Sequence, residues 1–112
     1  MSNAKKTHQS RKVRIEVAAG FKDEYQAALA RDPEIEGAMK EFRRAKVETP
    51  PGRLPARMKD HRLQGKLVAF RECHLAGDIL LVYQHEQDVV KLVCICSHSD
   101  LSNPTYIRRR AL

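Results

Sequence analysis

The sequence predicts an α+β domain: an antiparallel sheet with two N-terminal helices on one face, in the order β-α-α-β-β-β. Three observations predict it. A charged and apolar alternation opens the chain, two stretches with helical apolar spacing follow, and three segments rich in Val, Ile and Leu come after them.

Each element has its own signal. Lys12-Val-Arg-Ile-Glu-Val-Ala18 alternates as a half-buried strand does, and Gly20 breaks it. Phe21, Tyr25, Ala28 and Leu29 then fall on one helical face. Asp32 and Pro33 read as an N-cap with proline at the first helical position, opening a second helix. Its apolar stripe is Ile35, Ala38, Met39, Phe42 and Ala45. Glu34 and Glu36 near its start and Arg43, Arg44 and Lys46 near its end suit the helix dipole. The short joint between the helices predicts an αα-hairpin. Thr49-Pro50-Pro51-Gly52 stops the second helix. Residues 53–65 have no clean period and read as an ordered loop with a helical turn around 56–60. Residues 67–73, 79–84 and 89–97 read as strands, separated by the turn-like Leu75-Ala-Gly-Asp78 and His85-Glu-Gln-Asp88, so they form an antiparallel meander. This gives a flexible segment at 1–10, one domain at 11–103 and a basic tail at 104–112.

Composition bounds the function. A chain of 112 residues has one domain's worth of core, and 42% apolar residues suffice to fill it. With no Trp and 5% aromatics, that core is aliphatic. No apolar run approaches the roughly 18–20 residues that span a bilayer. The polar, basic start lacks the apolar stretch of a secretory signal. Three cysteines, Cys73, Cys94 and Cys96, fit a reducing compartment better than a disulfide framework. The expectation is a soluble, cytoplasmic domain.

The formal net charge is +7, and it is concentrated. Residues 43–66 hold eight basic side chains against Glu48 and Asp60, whereas residues 67–107 hold two basic against five acidic. Such a segment attracts a polyanion, which points to nucleic acid. A membrane surface fits less well, because no strongly apolar helix face accompanies the charge. The candidate contacts are Arg53, Arg57, Lys59, Arg62 and Lys66, with Arg71 beside them. Four histidines, His61, His74, His85 and His98, fall in the basic loop and the sheet. A short hairpin brings His74 and Asp78 together, and His98 closes the last strand. Strand ends converging on one rim commonly assemble a site.

The stretch Leu54-Pro-Ala-Arg-Met-Lys-Asp-His61-Arg-Leu-Gln-Gly65, then Phe70-Arg71-Glu-Cys-His74-Leu-Ala-Gly-Asp78-Ile-Leu-Leu-Val-Tyr83, then Ser97-His98, resembles the YafQ branch of the RelE superfamily of toxins. The resemblance rests on the ordered set L-P-x-x-x-x-D-H-x-L-x-G, R-x-x-H-x-x-x-D and a strand-terminal S/T-H. It implies the toxin of a type II toxin–antitoxin system, a ribosome-dependent mRNA endonuclease held inactive by a cognate antitoxin. His61, His74, Asp78 and His98 match the active-site positions, and Arg71 matches a recurrent basic position. Three positions depart from the pattern. Cys94 stands where a last-strand arginine is usual, Ser102 where an aromatic follows the final histidine, and Ile79 where an aromatic follows the aspartate.

The implied chemistry needs neither metal nor cofactor, because RNA carries its own 2′-hydroxyl nucleophile. The resemblance makes Asp78 the base and His98 the acid, with His61, His74 and Arg71 neutralising the phosphate. An acidic antitoxin segment is expected over residues 53–66, and ribosome and mRNA are the expected working partners. Three other readings compete. A zinc site could draw on Cys94, Cys96 and His98, with His74 or Cys73, but Cys-x-Cys within a strand is a poor match to structural zinc spacing. A non-catalytic relative acting on DNA gyrase would lack the histidine set. A plain basic RNA-binding module would not need it.

Overall fold

The computed structural model describes residues 12–112, so the segment expected to be flexible at 1–10 lies outside the described residues. Strand β1 (Arg14–Val17) leads through Ala18 and Gly20, which sits at φ 83°, into helix α1 (Phe21–Arg31). Helix α2 (Ile35–Arg43) follows and widens into a π-helical turn at Arg44–Glu48. Its start differs from the expectation. The carbonyls of Asp32 and Pro33 accept from Ile35 and Glu36 at 3.2 Å, making a tight turn, and the Asp32 side chain does not cap. A 3-10 turn (Ala56–Met58) lies in the basic loop, shorter than expected, and a second (Gly65–Leu67) takes the start of the segment read as a strand from residue 67.

Among the described residues the sheet has five strands, ordered from one edge as β1, β5 (Val89–Cys96), β4 (Ile79–Glu86), β3 (Arg71–Ala76) and β2 (His61–Arg62). Strands β3, β4 and β5 form the antiparallel meander. Two features correct the sequence reading. β1 runs parallel to β5, so the sheet is mixed. An alternating pattern marks a strand but carries no information about its partner's direction. A two-residue strand, β2 (His61–Arg62), pairs antiparallel with β3 at the opposite edge.

Strand alternation splits the apolar side chains between two faces. On the helix face, Phe21, Ala28, Ile35 and Phe42 pack on Cys73, Leu75, Leu81, Tyr83, Val90 and Leu92. Phe42 meets Tyr83 edge to face at 4.8 Å, and both are fully buried. Full burial of a side chain of this kind contributes roughly 1.5–3 kcal/mol. The other face is covered too. Leu63, Leu67 and Phe70, from the segment between β2 and β3, and Ile107 close over Leu80, Val82, Val93, Cys94 and Cys96. Ile107 belongs to helix α3 (Pro104–Arg110), in the segment read as a tail. Asn103 caps it, its Oδ1 accepting from Tyr106 N–H at 3.2 Å, and Pro104 follows at the first turn. The Lys91 ammonium caps its far end through the Ala111 carbonyl. Coverage of both faces explains why β4 and β5 read as nearly continuous apolar runs.

No helix among the described residues is long and apolar enough to cross a membrane.

Candidate active site

Three of the four expected residues meet at one end of the meander. Asp78 lies in the turn between β3 and β4, directly after Gly77 at φ 48°. His98 opens the turn after β5, which Asp100 fixes by accepting from Ser97 N–H at 2.9 Å. One oxygen of Asp78, Oδ1, accepts from His98 N–H at 2.9 Å and also engages the His98 ring at Nδ1. With Nδ1 held as donor, Nε2 is left for solvent or substrate. The His98 ring stands edge to face with His74, centroids 5.1 Å apart. His74 ends the regular part of β3, where the register slips between His74 and Ala76 and the strand bends.

Charge and burial tune these groups. Hydrogen bonds from the His98 main chain and ring hold Asp78 below the usual carboxylate range. Burial pushes His74 down, and His98, Lys59 and His61 push the same way against the opposing pull of Glu72. These influences favour the neutral form of His74.

His61 is placed differently. It lies on β2 opposite Glu72, its Nε2 2.7 Å from Glu72 Oε2 and its Nδ1 3.0 Å from the Arg62 carbonyl. Both ring nitrogens are thus occupied, which makes His61 a fixed element of the site rather than a free proton carrier. Sequence reasoning missed Glu72. Its side chain is 7% exposed and its Oε1 has no hydrogen-bond partner among the described residues. The available signal was its spacing: Glu72 and His74 alternate on one strand and so share a face.

Arg71 is not beside the histidines. Alternation turns it to the helix face, where its Nε donates to Asp60 Oδ1 and to Tyr83 Oη, each at 3.3 Å. Tyr83 O–H donates to the same Asp60 oxygen at 2.5 Å, and Lys46 Nζ lies 3.1 Å from Asp60 Oδ2. Burial works against the Asp60 charge, but the hydrogen bonds of Tyr83 and Lys46, with the charges of Lys46 and Arg71, outweigh it and hold the carboxyl low. Among the other expected cations, Arg57 pairs with Glu41 at 2.8 Å and Arg62 donates to the Val68 carbonyl at 2.9 Å. Arg53, Lys59 and Lys66 are exposed, with no ion pair among the described residues.

The three departures from the toxin pattern have structural counterparts. Cys94 is fully buried beneath α3, in the apolar cluster. Ile79 packs at the edge of the helix-face cluster, and Ser102 Oγ donates to the Ser99 carbonyl at 2.6 Å. Burial pushes the Cys73 thiol well above its ordinary range, and a hydrogen bond with Cys94 together with burial does the same for Cys96. Among the described residues, no three His, Cys, Asp or Glu side chains are grouped to hold a metal ion.

Comparison with known proteins decides the family. The model for the bacterial toxin of type II toxin–antitoxin systems, YafQ, matches residues 13–103. The chain belongs to the YafQ family of toxins. A curated YafQ toxin of Haemophilus influenzae is 38% identical over 50 residues, 41% of this chain and 49% of that protein, so the match spans about half the length of that relative. A metal-bound toxin from Helicobacter pylori superposes with a TM-score of 0.63 at 34% identity, covering 80% of this chain and 98% of that one. YafQ from E. coli strain BL21(DE3) gives 0.63 at 24% identity with the same coverage. The E. coli DinJ–YafQ complex gives 0.63 at 22%, again over 80% and 98%. The α+β fold is that of the YafQ structures. Helix α3 begins at Pro104, just past the residues that the YafQ family model matches.

Proposed function

We propose that this YafQ-family toxin is an endoribonuclease that cleaves mRNA on the ribosome by attack of the RNA 2′-hydroxyl on the adjacent phosphate. The observation that carries the reading is the His98 ring, fixed by Asp78 and set against the ring of His74. The geometry favours a different division of roles from the one the resemblance implies. Asp78 is low in basicity and its Oδ1 is engaged by His98, so it orients that ring. His74 accepts the 2′-hydroxyl proton as the 2′-oxygen bonds to phosphorus. The bond from phosphorus to the 5′-oxygen breaks, and His98, acting as the doubly protonated imidazolium with Nδ1–H kept on Asp78, supplies that oxygen with its Nε2 proton. The products are a 2′,3′-cyclic phosphate and a 5′-hydroxyl. His61, fixed on Glu72, lines the site beside His74, and the basic loop supplies positive potential for the phosphates.

The partners follow from the same reading. The ribosome presents mRNA in its A site, which places the protein in the cytoplasm. A cognate antitoxin neutralises it, as DinJ forms a complex with E. coli YafQ, and an acidic segment of this chain's own antitoxin covers the basic residues 53–66. A second reading, a basic RNA-binding protein that does not cut, draws on Cys94, because an arginine is missing from the last strand. Primer extension on mRNA, with and without ribosomes, separates the two. We expect discrete cleavage sites that need ribosomes and vanish in a folded His98→Ala variant. Cleavage unchanged by that substitution overturns the mechanism, and no cleavage by the wild-type chain favours the second reading.

A further inference from the structure

A second feature lies across β2 from the histidines. A cavity of about 550 Å³ opens between the π-helical turn after α2, the proline-rich loop and the start of β3. Its lining carries four cationic side chains, Lys46, Arg53, Lys59 and Arg71, against the single carboxylate of Asp60. That carboxylate is already shared among Lys46, Arg71 and the Tyr83 hydroxyl. Only the Nε of Arg71 is engaged by it, and Arg53 and Lys59 have no ion pair among the described residues. The cavity therefore keeps an uncompensated positive charge in a concave wall, where field lines concentrate.

The wall is also built rather than incidental. Gly52 N–H donates to the Ala45 carbonyl at 2.9 Å, and a Cβ at Gly52 would stand 2.3 Å from that oxygen, so the loop bearing Arg53 is locked onto the helix end. Lys59 is held at φ 49°, a conformation that glycine or asparagine adopts more readily than a long side chain. That conformation ends the 3-10 turn, where Lys59 N–H donates to the Ala56 carbonyl at 3.0 Å. Lys59 also links the two sites: it lines the cavity, and its charge acts on His74.

We propose that this cavity is a phosphate subsite that holds an RNA backbone linkage flanking the one at His74 and His98. The inference rests on the RNA-cleaving reading and adds where the strand runs: past the histidines, over Lys59, toward Arg53. Polynucleotide phosphate suits the site better than a peptide carboxylate, because several converging cations match a tetrahedral anion with many acceptor oxygens.

The test uses the full chain and a fluorescent 2′-O-methyl oligoribonucleotide, which binds but lacks the nucleophile. Single linkages are replaced in turn by neutral methylphosphonate, and binding is measured at low salt. We expect one linkage whose neutralisation weakens wild-type binding about tenfold, as loss of a charge-assisted contact does. In folded Arg53→Ala and Lys59→Ala variants the unmodified oligomer binds correspondingly weaker, and neutralising that linkage has no further effect, because the two changes remove one interaction. A wild-type chain that cleaves RNA through His98 yet shows no such linkage overturns the subsite and leaves the nuclease reading standing. Variants that bind the oligomer normally but lose affinity for a polyglutamate peptide also overturn it and give the cavity to an acidic protein. A wild-type chain that neither binds nor cleaves RNA removes both proposals.

Discussion

Replacing Ile107 by alanine tests whether the C-terminal helix is part of the core. Ile107 is fully buried and belongs to the cluster of Leu80, Val82, Val93 and Cys94 on the sheet face away from α1 and α2. An Ile→Ala change at such a site loses the transfer free energy of the removed carbons and leaves a cavity, about 2–5 kcal/mol in all. A helix at the rim settles into part of that space, so we expect about 3 kcal/mol. Against a total of roughly 5–15 kcal/mol for a domain, that is a large fraction. The helix has seven residues and would not persist undocked, so its order is a tertiary effect. Urea unfolding followed by far-ultraviolet circular dichroism measures the change, with Arg109→Ala as the exposed control, expected within about 0.5 kcal/mol of wild type. A loss below about 1 kcal/mol for Ile107→Ala, at unchanged denaturant dependence, would refute docking of α3 on the sheet.

Other perturbations probe the two sites. Asp60→Asn removes the carboxylate between Lys46 and Arg71 and should destabilise by about 2 kcal/mol, as loss of a partly buried charge-assisted hydrogen bond does; a neutral result in urea unfolding would mean that the network contributes no stability. Gly52→Ala drives a Cβ into the Ala45 carbonyl and should lower stability measurably, whereas the same change at Gly37, where nothing lies within 4 Å of the added atom, should not. Asp60 has a lowered folded pKa, so its contribution is complete above about pH 4 and lost as the pH falls through the lower folded value. Wild type should therefore lose more stability in that acid range than Asp60→Asn, and equal slopes for the two would contradict the assignment. Cleavage should decline on acidification with a midpoint below the ordinary histidine value of about 6.5, because His74 must be neutral to accept a proton; a midpoint above it would remove His74 from that role.

Much of this was legible in the sequence where a period or a breaker marks it. The apolar runs bounded by Gly77-Asp78 and Gln87-Asp88 gave the meander, and the stripe from Ile35 to Phe42 gave the second helix. What stayed hidden depends on long-range placement. The parallel partner of β1 is not encoded in its alternation, and β2 is too short to show a period. Asn103-Pro104 is a helix-start signal, but the arginines after Ile107 make the segment look like a solvated tail. In the site, His74, Asp78 and His98 come together because a two-residue turn and a strand end share one rim. Arg71 looked equivalent by spacing, yet it sits an odd number of residues from His74 and therefore faces the other way. Glu72 sits between Arg71 and Cys73 with no motif to mark it, and its pairing with His61 across two strands is what reveals it.

The pairing of Arg14 with Val89 has a consequence for how the molecule assembles. Hairpins between β3, β4 and β5 need only short turns, so they can form early, whereas β1 must close a loop through most of the chain before its few ladder bonds form. Until it arrives, the outer margin of β5 presents unpaired amide and carbonyl groups along an apolar strand. A chain halted at that stage offers a template to its neighbours, so dimers or aggregates trapped during refolding should be joined through Val89–Cys96 rather than through the histidine rim.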